Sequence, residues 1–143
     1  MKSKAFYIWL LLSILCVIGI YISSSIEGAV SGAASMAIVE RIRRFVGMDA
    51  QTLHFIVRKG AHFTVYFILA FCVTNTAKYV IKNKKILFWL SWGISSVYGV
   101  LDEIHQYFVP NRVFSVMDMI INALGALTAV LLVLFMQRKK ADA

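Results

Sequence analysis

Three stretches of the sequence carry residue types that do chemistry, at spacings that would bring them together. Arg58, His62 and Tyr66 recur at intervals of four, so on a helix they share one face. Tyr98, Asp102, His105 and Gln106 do the same further along the chain. Glu103 is turned about 100° away from its neighbour at 3.6 residues per turn. After a turn containing Pro110 come Asn111 and Arg112, then Ser115, Asp118 and Asn122 on one face of a following helix. Carboxylates beside imidazoles are the material of general acid and base catalysis, and arginines hold phosphate or carboxylate groups. Asp102, Glu103, His105 and His62 are therefore the candidate acid and base residues. Arg58, Tyr66, Gln106, Arg112, Asp118 and Asn122 are the candidate substrate-binding residues.

Other chemistries fit less well. His62, Asp102, Glu103 and His105 are metal-ligand types, with Asp102 and His105 at i, i+3, but neither an HExxH motif nor a paired-cysteine spacing accompanies them, and no metal is expected. Ser115 with His105 and Asp118 has the composition of a hydrolase triad but lacks a nucleophile elbow. Cys16 and Cys72 lie inside apolar runs without a CxxC motif and read as small hydrophobes. No cofactor is indicated. The bland account of the polar set is that Asp102 with Arg112 and Asp118 with Arg58 pin loops at a water interface. Against it stands density: six charges, two histidines, Gln106 and Asn122 are more than loop pinning requires.

The elements that must position these residues are apolar. The chain has 143 residues, 60% hydrophobic and 15% charged, against about 45–50% and 25% in soluble domains. Its length suits a single domain, 1–143. Net charge is +8, but the cations flank apolar runs instead of forming a stripe among aromatics, so no nucleic-acid partner is expected and the lipid bilayer is. Four stretches, residues 5–22, 60–79, 86–107 and 113–136, approach the roughly 20 residues that cross a bilayer. The expected fold is all-α, a membrane protein of four transmembrane helices. Lys2 and Lys4 ahead of the first run resemble a signal peptide, but the run is long for one and residues 23–29 make a poor cleavage site.

Nine cations fall at the N-terminus, the second loop and the C-terminal tail, against six on the other side. The positive-inside rule then places both termini in the cytoplasm. Between the first two spans, Ile38, Ile42 and Phe45 alternate with Glu40, Arg41, Arg43 and Arg44, predicting an amphipathic helix in the membrane interface or one packed over the bundle mouth. Gly125, Ala126, Ala129 and Ala70 are small enough for close helix approach.

The run Arg58-Lys59-Gly60-Ala61-His62-Phe63 with Tyr66, the run from Tyr98 to Arg112 that contains Asp102-Glu103-Ile104-His105-Gln106, and Asp118 through Asn122 with Gly125 resemble the VanZ-like family of bacterial membrane proteins. The resemblance covers roughly Ile22 to Leu132, and the DE-x-HQ-x-F-x-P-x-R run is its specific part. It implies a small polytopic protein of the bacterial cell envelope. Its namesake is associated with low-level teicoplanin resistance by a route other than remodelling the peptidoglycan stem terminus. The family's motif residues carry over onto His62, Tyr66, Asp102, Glu103, His105, Gln106, Arg112, Asp118 and Asn122.

The expected function is an envelope factor whose outward polar pocket binds or modifies a lipid-linked or acyl-bearing molecule, such as a lipid-linked envelope precursor, a lipopeptide or a glycopeptide. Two alternatives stand beside it. One is a non-catalytic membrane partner subunit. The other is a small transporter with an Asp/His relay, which the scarcity of polar residues in the inner halves of the spans disfavours.

Overall fold

The computed structural model describes residues 3–141, with the side chains of residues 139–141 left out. Of the cations used to orient the chain, Lys2 and the side chains of Lys139 and Lys140 therefore lie outside the described part. Five helices and no strands are present among the described residues: α1 (Lys4–Ser24), α2 (Gly28–Val46), α3 (Ala50–Ala77), α4 (Lys84–Tyr107) and α5 (Val116–Ala141).

Local chemistry sets the ends. Ser3 caps α1 by accepting from Phe6 N–H, Asp49 caps α3 through Thr52 N–H, and Asn83 caps α4 through the N–H groups of Lys85 and Ile86. Each satisfies donors that a helix start leaves free. Gly47 closes α2 in the left-handed conformation, at φ 65°. The Asp49 cap explains the main departure from the expected boundaries. The second apolar helix begins at Ala50, not near residue 60, and Leu53 on the added turns is buried.

α1, α3, α4 and α5 pack side by side. Phe6 meets Tyr79 near one end and Ile20 meets Tyr66 towards the other, so α1 runs antiparallel to α3. Tyr98 donates to the Val17 carbonyl and Gln106 to Ser24, so α4 runs parallel to α1. The closest crossing is between α3 and α5, where a Cβ on Gly125 would come within 2.3 Å of the Phe63 carbonyl oxygen. Only glycine admits that approach. Ala70, Ala126, Ala129 and Val130 continue the same seam, with Phe67, Phe71, Phe88, Trp92 and Leu134 packed around them.

Among the described residues, three helical segments are long and apolar enough to cross a membrane: Lys4–Ser24, Ala50–Ala77 and Val116–Arg138. α4 is long but less apolar, and the reason is the side it buries. Ser91, Ser95, Asp102, Glu103 and Gln106 point into the bundle, while Trp89, Ile94, Val97, Leu101 and Ile104 face out. That is the reverse of a helix in a soluble domain and the arrangement expected where the surroundings are hydrocarbon.

α2 also differs from expectation. It starts at Gly28, ten residues before the predicted pattern, and turns Gly28, Ser35 and Val39 towards the bundle. Ile38 and Phe45 face outward, Phe45 at 89% exposure. Small residues win the inner face because α2 must approach its neighbours closely. Gly28 N–H donates to the Pro110 carbonyl, and a Cβ on Gly28 would overlap the Asn111 carbonyl oxygen.

Candidate functional site

The polar residues gather where the C-terminal ends of α1 and α4 meet the start of α5 and the N-terminal half of α3. They form two sets, one on either side of α4.

The first set faces α1. Gln106 is its hub: Nε2 donates to Asp102 Oδ2 at 3.0 Å and to Ser24 Oγ at 3.2 Å, while Oε1 accepts from Arg112 at 3.4 Å. Arg112 also donates to the carbonyls of Ile26 (3.2 Å) and Ser23 (3.1 Å), which tie the guanidinium to the end of α1. Burial first, and the Arg58 charge next, pull Arg112 below its ordinary pKa. This set borders a cavity of about 400 Å³ on the seam between α1 and α3. Its polar end is made by Ser23, Ser24, His62, Asp102, Gln106 and Arg112, and its apolar wall by Cys16, Ile20, Val65 and Ile68. Gly19, Ser23, Ala61, Val65 and Ile68 are also exposed on the outside of the bundle, so the cavity opens sideways through the seam.

The second set faces α3 and α5. Lys59 Nζ and Asp118 Oδ1 are 2.5 Å apart, and Asp118 N–H donates to Ser115 Oγ. Glu103, 1% exposed, accepts from Ser115 N–H through Oε2 at 3.1 Å, while its Oε1 has no hydrogen-bond partner. His62 Nδ1 lies 3.2 Å from Asn122 Oδ1 and 4.0 Å from Glu103 Oε1. His62 belongs to both sets, since its ring also lines the cavity. One ligand atom each from His62, Glu103 and Asp118 lie within 4.8 Å of one another, so among the described residues these three are grouped closely enough to hold a metal ion.

Several expected partnerships are replaced. Asp102 and Arg112 do not pair directly; Gln106 joins them, because the Arg112 fork is spent on the carbonyls that end α1. Asp118 pairs with Lys59 and not with Arg58, whose neighbour in sequence carries its charge to the α5 side. Arg58 forms no hydrogen bond or ion pair among the described residues and bears on the site only through its charge near Arg112. His105 turns towards the end of α1. Its Nε2 lies 3.1 Å from Ser25 Oγ and its ring sits 4.9 Å from that of Tyr21. Tyr66 is buried beside Tyr98 and lines the cavity.

Residues to which the sequence assigned no part complete the frame. Asn111, at φ 58°, donates to Glu27 Oε1 at 2.7 Å and, with the Gly28 contact, clasps the α1–α2 turn to the α4–α5 loop. Asparagine tolerates this left-handed conformation better than most residues. Its place directly after Pro110 was the available signal, since Pro-Asn marks a turn. Lys59 was already one of the six charges counted in the sequence, without a partner assigned to it.

Comparison with known proteins gives one match: a sequence model of the VanZ/LLP1 family covers residues 7–137. No curated protein and no solved structure matches the chain.

Proposed function

The chain belongs to the VanZ/LLP1 family, and on that premise we propose that it sits in the bacterial cell membrane as a four-span bundle and binds or modifies a lipid-linked or acyl-bearing envelope molecule. In this reading α1, α3, α4 and α5 cross the bilayer. Both termini are cytoplasmic, α2 lies at the outer interface, and the polar end of the cavity faces outward. The outward apolar face of α4 and the cations Lys4, Lys78, Lys84, Lys85 and Arg138 at the end away from the cavity support that placement.

The observation that carries the ligand class is the cavity. A slot with an apolar wall, a polar end and a sideways opening matches an amphiphile, with its acyl chain along Ile20, Val65 and Ile68 and its headgroup at Arg112, Gln106 and Asp102. Arg112 supplies charge for a phosphate or carboxylate, and His62 and Asp102 are the acid and base residues within reach of the headgroup. The cellular consequence is an altered susceptibility to teicoplanin, itself an acyl-bearing glycopeptide.

The test is photolabelling of the purified chain in lipid nanodiscs with a diazirine-tailed anionic phospholipid. Adducts are expected to concentrate around Ile20 and Val65 and to disappear in Ile20→Trp, which fills the slot. Adducts spread evenly over the outer faces of α1 and α3 would overturn the reading. An alanine series at His62, Asp102, Glu103, His105, Arg112 and Asp118, scored for teicoplanin susceptibility and membrane abundance, then tests the cellular role.

A further inference from the structure

We propose that His62, Glu103 and Asp118, with Asn122 as a fourth donor, form a binding site for one divalent transition-metal ion of the zinc or manganese kind. The proposal goes beyond the amphiphile cavity and shares only His62 with it.

The ligands come from three helices, α3, α4 and α5, which the Gly125 crossing and the small-residue seam hold in fixed relation. Their donor atoms already lie within 4.8 Å of one another. Ligand atoms about 2.0–2.2 Å from a tetrahedral ion stand somewhat closer together than that. Binding an ion therefore draws the three side chains closer together. Asn122 Oδ1, 3.2 Å from His62 Nδ1, is placed to join them.

One observation asks for a cation at this point. Glu103 Oε1 is buried and unpartnered, although the other oxygen of the same carboxylate is satisfied and His62 Nδ1 is 4.0 Å away. A buried polar atom left in this way is costly unless something binds it. An ion bound between Glu103 and His62 occupies the unpartnered oxygen. Lys59 holds only Oδ1 of Asp118, so the second carboxylate oxygen remains available.

The donor set selects the ion. One imidazole nitrogen, two carboxylates and an amide oxygen suit zinc or manganese, whereas calcium requires six to eight oxygens and magnesium keeps most of its water. The sequence concealed the site because Asp102 and His105, the pair at metal-like spacing, point away from it.

The experiment is equilibrium dialysis of the detergent-purified, metal-stripped full chain against zinc and, separately, manganese, with magnesium and calcium as comparison ions. Bound metal is counted by mass spectrometry, and helicity and monodispersity are checked for every variant. Saturable binding of about one zinc or manganese per chain is expected, weakened at least roughly tenfold in Glu103→Gln and in His62→Gln, since loss of a supporting group alone costs that much. His54→Ala, which removes another histidine from α3, should leave binding unchanged. Absence of saturable binding in the wild type, or equal binding in Glu103→Gln, would overturn the proposal, as would full retention of binding in His62→Gln. Photolabelling of the cavity reads out separately, so failure of one proposal is distinguishable from failure of the other.

Discussion

Asp102 and Glu103 are neighbours in sequence, and the structure sends them to opposite sides of α4. Asp102 is held by an amide: Gln106 donates to it, Arg112 reaches it only through Gln106, and a cavity opens beside it. Glu103 is sealed among Ser115, His62, Asp118 and Lys59, where the compensation is ionic and incomplete. The cavity side sets a carboxylate and a guanidinium apart, joined only through the neutral amide of Gln106, so each can turn to a ligand's own groups. The α5 side is built from charges that cannot be separated without leaving one of them bare. One rotation of about 100° on a helix thus divides a set that looks continuous in sequence into a group bordering the cavity and a group sealed against α5.

The contrast can be broken most sharply at Lys59. Lys59→Met leaves Asp118 and Glu103 without their cation, and breaking a buried pair in this way costs on the order of 3 kcal/mol. Thermal unfolding in detergent should show a large loss of stability, accompanied by reduced membrane abundance. A smaller loss, about 1–3 kcal/mol, is expected for Gln106→Leu, which strips Asp102 of its donor. The same variant should lose amphiphile labelling, and that second readout separates the cavity side from the core. Asp102→Asn keeps the size and an acceptor for Gln106, so stability should change by less than about 1 kcal/mol. Teicoplanin phenotype and labelling should nonetheless fall, because the carboxylate is gone. His105→Phe retains a ring against Tyr21 and should be nearly silent, within about 0.5 kcal/mol and without effect on labelling. A strong effect of His105→Phe on labelling would return that residue to the site and blur the division.

Periodicity revealed much of this arrangement and could not reveal the rest. The polar face of α4 was readable because Asp102 and Gln106 are one turn apart, and the same period extends down through Gly99, Ser95 and Ser91. The close crossing at Gly125 was readable from small residues one turn apart. What a repeat does not carry is the rotation of each helix about its own axis. Arg58 and Lys59 are about equally plausible partners for Asp118 in one dimension, and only the α3–α5 crossing decides for Lys59. His105 shares a face with Asp102 on a helical wheel, yet its ring reaches sideways to Tyr21 and Ser25 on a helix far away in sequence. The same limit applies to α2. Its charges and large apolar residues formed the visible pattern, while packing selected Gly28, Ser35 and Val39, which by hydropathy alone are unremarkable.

The clasp between Asn111 and Glu27, with Gly28 docked under Pro110, also determines how a ligand's supply must be reckoned. It ties the loops together at the polar end of the cavity, and under the proposed function a ligand enters by the α1–α3 seam, from the lipid side. Occupancy then follows a ligand's mole fraction among neighbouring lipids, not its concentration in water. Each methylene on an acyl tail improves partitioning by about 0.8 kcal/mol. Two amphiphiles with the same headgroup and a difference of two methylenes would therefore differ about fifteenfold in potency when added from solution, even if the protein bound them equally well.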